Sequence, residues 1–165
     1  MGYVMLDRRM LFALATALTA RAAGAQTTTV QIDSVRGQSA TLVIEASSDS
    51  SVTIRARSAV AKSFLPLAIA PVQSWLAAVD TVLQMPMSPD VGQELRAHAE
   101  TEYPTVGGIR LSRVVRPGDE TFILASHNNG MAEVITALTR EQVIQLKRAL
   151  NAAILRSQEL SKRDR

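Results

Sequence analysis

The sequence predicts an α+β fold: two βββ(β)α units in succession, with antiparallel sheet covered by two amphipathic helices, in a single domain after an N-terminal signal peptide. Three observations carry that prediction. Short β-branched segments alternate apolar and polar residues between turns rich in Gly, Ser and Pro. Two segments, Pro71–Leu83 and the stretch after Thr139, repeat apolar residues at helical spacing. A shift that carries Val72 onto Val143 also carries Trp75, Ala78, Val79, Val82 and Leu83 onto Leu146, Ala149, Leu150, Ala153 and Ile154.

Composition sets the frame for these elements. With 47% hydrophobic and 20% charged residues, the chain can bury a core and is not that of a disordered protein. Aromatic residues are only 4%, so Val, Ile, Leu and Ala must fill that core. No cysteine is present, which excludes disulfides, thiolate metal ligands and a cysteine nucleophile.

Residues 1–25 read as an export signal. Arg8 and Arg9 form a basic start, and Met10–Ala20 is an apolar run too short to span a bilayer. Ala23-Gly24-Ala25 places cleavage after Ala25. The segment Asp7-Arg8-Arg9-Met10-Leu11-Phe12 resembles the twin-arginine pattern. Asp7 is not the usual first residue of that pattern, so the general secretory route is the expectation, with periplasmic or extracellular delivery. Removing the signal takes away Arg8, Arg9, Arg21 and Asp7, so the net charge falls from +3 to +1. A strongly basic nucleic-acid footprint is therefore missing.

The mature chain opens with a strand over Gln26–Val35, with Val30, Ile32 and Ser34 on one face. Ala40–Ala46 follows, with Leu42 and Ile44 opposed to Thr41, Val43 and Glu45. Val52–Arg57 returns with Val52, Ile54 and Ala56 on one face and Thr53, Arg55 and Arg57 on the other. Ala59–Ile69 holds a fourth short strand that Pro66 confines to an edge or bulge. The Pro71–Leu83 helix comes next and is expected to cover the meander before it. Met85-Pro86-Met87-Ser88-Pro89 prevents its continuation and opens a Pro-rich linker over 85–104. Within that linker, Ser88 as N-cap predicts a short helix through Val91, Leu95 and Ala99.

The second half, about 105–160, repeats the order. Ile109–Val115 and Thr121–Ser126 are strands joined by a Pro-Gly turn, and Asn128-Asn129-Gly130 is a hairpin signal leading to a strand over Met131–Leu138. Thr139 and Gln142 form a capping box for a helix that runs to about Leu160. Residues 161–165 make a basic tail.

Candidate chemistry is sparse. Glu94 and His98 fall four residues apart and would share one side of the short linker helix, as a zinc-binding or acid–base pair would require. No third ligand stands at a recognised spacing, and H-E-x-x-H is absent, so a surface Glu–His pair is the expectation. His127 follows Ser126, but neighbours on a strand face opposite ways and cannot serve each other as nucleophile and base. No catalytic residue, metal ligand or cofactor is assigned.

Arg55 and Arg57 project from one strand face, and Arg110 and Arg116 share the outer parity of another, with Arg113 opposite. Exposed arginines of this kind can cradle anions, or be solvated partners of Glu45 and Glu120. The doubled strand–helix order is similar to the Whirly and PUR single-strand-binding folds at the level of element order, without their sequence signatures. That resemblance implies nucleic acid on a sheet face, yet the face lacks stacking aromatics and the export signal argues against DNA. The expected function is an exported, non-enzymatic binding or interaction module for an envelope or extracellular protein or a small ligand. Two alternatives stand beside it: a small envelope hydrolase with a polar pocket near 85–105, and single-stranded nucleic-acid or anion binding on the sheet face. An uncovered sheet edge would additionally permit self-association.

Overall fold

The computed structural model describes residues 27–103, 106–128 and 133–163. The signal-peptide reading of 1–25, the Asn129-Gly130 turn and residues 164–165 of the tail lie outside the described residues. The described residues form two four-stranded antiparallel sheets and two helices, an α+β fold. In the first sheet β1 (Thr29–Arg36), β2 (Ala40–Ser47), β3 (Ser51–Ser58) and β4 (Lys62–Ala68) lie in sequence order, followed by α1 (Ile69–Gln84). In the second, β5 (Leu95–Tyr103), β6 (Gly107–Arg116), β7 (Asp119–Asn128) and β8 (Val134–Leu138) do the same, followed by α2 (Arg140–Arg163). One hydrophobic cluster draws on both sheets and both helices.

Strand alternation sorts the side chains. Leu42, Ile44, Val52, Ile54 and Ala56 are buried, while Arg55 and Arg57 are exposed on the opposite face. The first strand departs from the simple pattern. A bulge between Gln31 and Asp33 shifts its register, so Val35, paired with Leu42, is the fully buried residue and Ser34 is exposed. Pro66 lies in β4, an edge strand, where a missing N–H is tolerated. The capping box forms as expected: the Thr139 N–H donates to Gln142 Oε1 at 2.8 Å, and the Gln142 N–H donates to Thr139 Oγ1 at 3.3 Å.

Two expectations are corrected. The short helix over 88–99 does not form; β5 occupies Leu95–Tyr103 and pairs with β6 along its whole length. Leu, Arg, Ala and Glu favour helix locally, but Leu95, Ala97, Ala99 and Thr101 also alternate with Arg96, His98 and Glu100. Pairing with β6 buries Ala97 and Ala99, and tertiary context overrides propensity. Gly92, at φ 83°, sits in the left-handed region just before the strand and interrupts any helix there.

The second correction concerns what each helix covers. Helix α1 rests mainly on β5 of the second sheet, and α2 rests on β1, β2 and β3 of the first. No residue separates β4 from α1 and only Thr139 separates β8 from α2, so neither connection has the length to turn its helix back over its own sheet. The helices are thus exchanged between the halves. Trp75, 2% exposed, donates from Nε1 to the Ala99 carbonyl of β5 at 3.1 Å. In return, Gln142 Nε2 donates to the Arg36 carbonyl at 2.6 Å, and Ser157 Oγ to the Ser47 carbonyl at 2.7 Å. Each helix therefore packs its apolar stripe on one sheet and donates side-chain hydrogen bonds to backbone carbonyls of that sheet.

Polar contacts fasten the exchange. Arg113, buried at 8% exposure, donates through one terminal nitrogen to the Val82 carbonyl at 2.9 Å and to the Met85 carbonyl. Those carbonyls lie at the C-terminal end of α1, where a cation also meets the negative end of the helix dipole. Arg140, at the start of α2, donates to Leu83 O at 3.3 Å. Glu120 accepts from both arginines, at 2.7 Å from Arg113 and 2.9 Å from Arg140. The sheets also touch directly: Ser63 and Ser126 share a buried hydroxyl–hydroxyl bond of 2.6 Å, and Gln38 N–H donates to the Ala137 carbonyl at 3.0 Å. Gly37 is needed at this seam, because a Cβ there would lie 2.4 Å from Thr136 Oγ1.

Candidate ligand-binding face

The outer face of the first sheet is built row by row from the strand register. Arg36 pairs with Thr41, Thr41 with Arg57, and Arg57 with Lys62. These four residues form one row across the sheet, at the β-spacing of about 4.8 Å per strand. Two positions further along the strands, a second row runs Ser34, Val43, Arg55, Phe64. A third places Gln31 opposite Glu45 and Glu45 opposite Thr53, which pairs with Pro66. A concavity of about 610 Å³ opens on this face, lined by Thr41, Val43, Arg55, Arg57, Lys62 and Phe64 among others. A shallower one, of about 200 Å³, continues from Thr41 and Arg57 to Arg36.

Charge is unevenly matched across the rows. Arg55 is neutralised by Glu45, its Nε donating to Glu45 Oε2 at 2.6 Å. Its guanidinium carbon also stands 4.7 Å from the centre of the Phe64 ring. Arg36, Arg57 and Lys62, by contrast, have no carboxylate within ion-pair distance among the described residues. Arg57 and Lys62 face each other directly on neighbouring antiparallel strands, an arrangement of like charges that destabilises a sheet. Phe64 is 43% exposed, and its backbone N–H donates to Asn128 Oδ1 at 2.6 Å, which fixes the strand beneath the ring.

The residues singled out in the sequence distribute as follows. Arg55 and Arg57 meet on this face. Arg110 lies on the outer face of the second sheet, opposite Glu100 and Ala125. Glu94 and His98 are not brought together: four residues of extended chain separate their backbones by about 13 Å, against about 6 Å on a helix. Glu94 instead accepts from Arg96 Nε at 2.6 Å and Arg116 Nε at 2.7 Å, and these two guanidinium groups hold its carboxyl below the usual range. His98 Nδ1 lies 2.9 Å from Ser112 Oγ. His127 lies across Gly108, where a Cβ would meet its Nε2 at 2.8 Å, while Ser126 is fully buried against Ser63. Serine and histidine thus face opposite ways, as alternation requires.

Arg113 and Glu120 serve the fold. The Arg140 and Arg113 guanidinium groups hold the Glu120 carboxyl below its ordinary range, against the opposing effect of its partial burial. Among the described residues, no three His, Asp or Glu side chains stand close enough to hold a metal ion, and no helix is long and apolar enough to cross a membrane.

Sequence reasoning misses Arg36, Lys62 and Phe64. Apolarity alone groups Phe64 with Leu65 and Leu67, yet strand parity separates it from Leu65, and the alternation of exposed and buried residues along β4 is the signal that finds it. Arg36 and Lys62 join Arg57 only through cross-strand register, which periodicity within one strand does not carry. No family model matches this chain, and no curated protein matches its sequence.

Proposed function

We propose that this chain is an exported, non-enzymatic binding module whose outer first-sheet face receives an anionic group. The observation that carries the reading is the row Arg36–Thr41–Arg57–Lys62, which holds three cations without a carboxylate partner among the described residues. A lysine on an edge strand discourages strand addition by itself, but that role needs one cation rather than three in a row. Two like charges held directly opposite are offset when an oxyanion lies between them and accepts from both. Export rests on the leader pattern of residues 1–25. Glu94 and His98 do not form an acid–base pair: Glu94 accepts from Arg96 and Arg116, and His98 Nδ1 lies against Ser112 Oγ.

Titration with inorganic phosphate, followed through backbone amide resonances, tests the reading. Shifts concentrated at residues 36–43 and 55–64, and lost in the Arg57→Gln/Lys62→Gln double variant, are expected. Absence of any saturable shift, or shifts that survive the double substitution, would refute it.

A further inference from the structure

The second row of the same face says what the rest of the ligand is. It runs Ser34, Val43, Arg55, Phe64 and lies beside the cation row, about 6.6 Å along the strands. Its one cation is neutralised by Glu45, so the strip offers an aliphatic side chain and a half-exposed ring carrying a guanidinium at 4.7 Å. A charged row therefore borders a charge-balanced, partly apolar row, and Thr41, Arg57 and Lys62 of the first line a single concavity of about 610 Å³ with Val43, Arg55 and Phe64 of the second. That volume is the size of a small organic molecule. A bare inorganic ion would leave Val43 and Phe64 uncovered, whereas a polyanion running along the cation row would not use them.

We infer that the ligand is a small amphipathic oxyanion: a phosphate or similar doubly charged group held between Arg57 and Lys62, carrying a planar or apolar body that lies over Val43 and Phe64. This rests on the anion-binding reading given above, and it adds the requirement for the second row. The body covers the Phe64 ring edge and the methyl groups of Val43, removing apolar surface from water. Arg55 contributes by holding its guanidinium carbon 4.7 Å from the Phe64 ring centre, since its charge is already matched by Glu45.

Calorimetric titration of the protein with phenyl phosphate and, separately, with inorganic phosphate tests the inference. Phenyl phosphate should bind about tenfold more tightly than inorganic phosphate, the gain expected from one well-covered ring. Phe64→Ala should abolish that gain, so that the two probes bind the variant with equal affinity; Phe64 is half-exposed, so the variant is expected to fold, and its far-ultraviolet spectrum checks this. Equal affinities for the two probes would overturn the inference and leave the anion site standing. Failure of both probes to bind would remove the anion site itself, and the inference with it. A gain for phenyl phosphate that persists in Phe64→Ala would place the ring elsewhere and also overturn the proposal.

Discussion

Trp75 is the sharpest test of the exchanged helices. It belongs to the first half of the chain by sequence but is buried against β5 of the second, where its Nε1 reaches the Ala99 carbonyl at 3.1 Å. A buried tryptophan removes roughly 150–250 Å² from water, worth on the order of 4–6 kcal/mol at about 25 cal/mol per Å². Truncation series put the cost of Trp→Ala at about 3–5 kcal/mol once relaxation is included. Trp75→Ala should therefore lose about 3–5 kcal/mol, a large share of a stability of about 5–15 kcal/mol. Trp75→Phe retains most of the area but leaves the Ala99 carbonyl without its donor, and should cost about 1–3 kcal/mol. Urea unfolding followed by far-ultraviolet circular dichroism reads both, because the substitution removes the only tryptophan as a fluorescent probe. Hydrogen exchange then locates the damage. Amides of β5 and β6 should lose protection first in Trp75→Ala, and amides of β1 to β3 first in Leu146→Ala, whose side chain is buried on α2. Loss confined to β1–β4 in the tryptophan variant, or an unchanged midpoint, would refute the exchange.

Acid sensitivity, one glycine and the two halves of the chain offer three more tests. Glu120 and Glu94 both titrate below their ordinary range in the folded chain, so their contribution is complete above the unfolded carboxylate pKa, about 4.5, and is lost as pH falls through the lower folded values. Unfolding midpoints measured across that acid range should fall less steeply in Glu120→Gln than in the parent, and the variant should be the less stable of the two near neutral pH. Gly107 has φ 120°, and a Cβ there would lie 2.0 Å from the His127 carbonyl oxygen; Gly107→Ala should cost more than about 3 kcal/mol or prevent folding, as thermal denaturation would show. A fragment ending at Gln84 should lack cooperative unfolding by circular dichroism, since the helix that covers its sheet is residues 140–163, and adding the complementary fragment should restore it.

Much of the site's construction is legible in the chain, and its assembly is not. Alternation in VTIRAR is enough to place Arg55 and Arg57 outward, because a strand turns successive side chains to opposite faces whatever it pairs with. The Glu94–His98 spacing misleads for the complementary reason. Leu, Ala, Glu and Arg suit a helix and also fit one face of a strand beside β6, and burial of Ala97 and Ala99 decides between them. The cation row is invisible in the sequence because Arg36, Arg57 and Lys62 lie on three different strands, and only the cross-strand pairings of β1 to β4 bring them level.

The sequence by itself determined which segments are strands and helices over most of the chain, which faces are apolar, and the capping box that starts α2. These follow from local sterics and from the periods of the two regular structures, which act within a few residues. Only the tertiary structure decided which sheet each helix covers. Periodicity encodes that Val72, Trp75 and Val79 must be buried, but carries no information about the surface that buries them. The absence of a loop between β4 and α1, together with the bonds from Arg113 and Arg140 to the Val82, Leu83 and Met85 carbonyls at the end of α1, makes that choice.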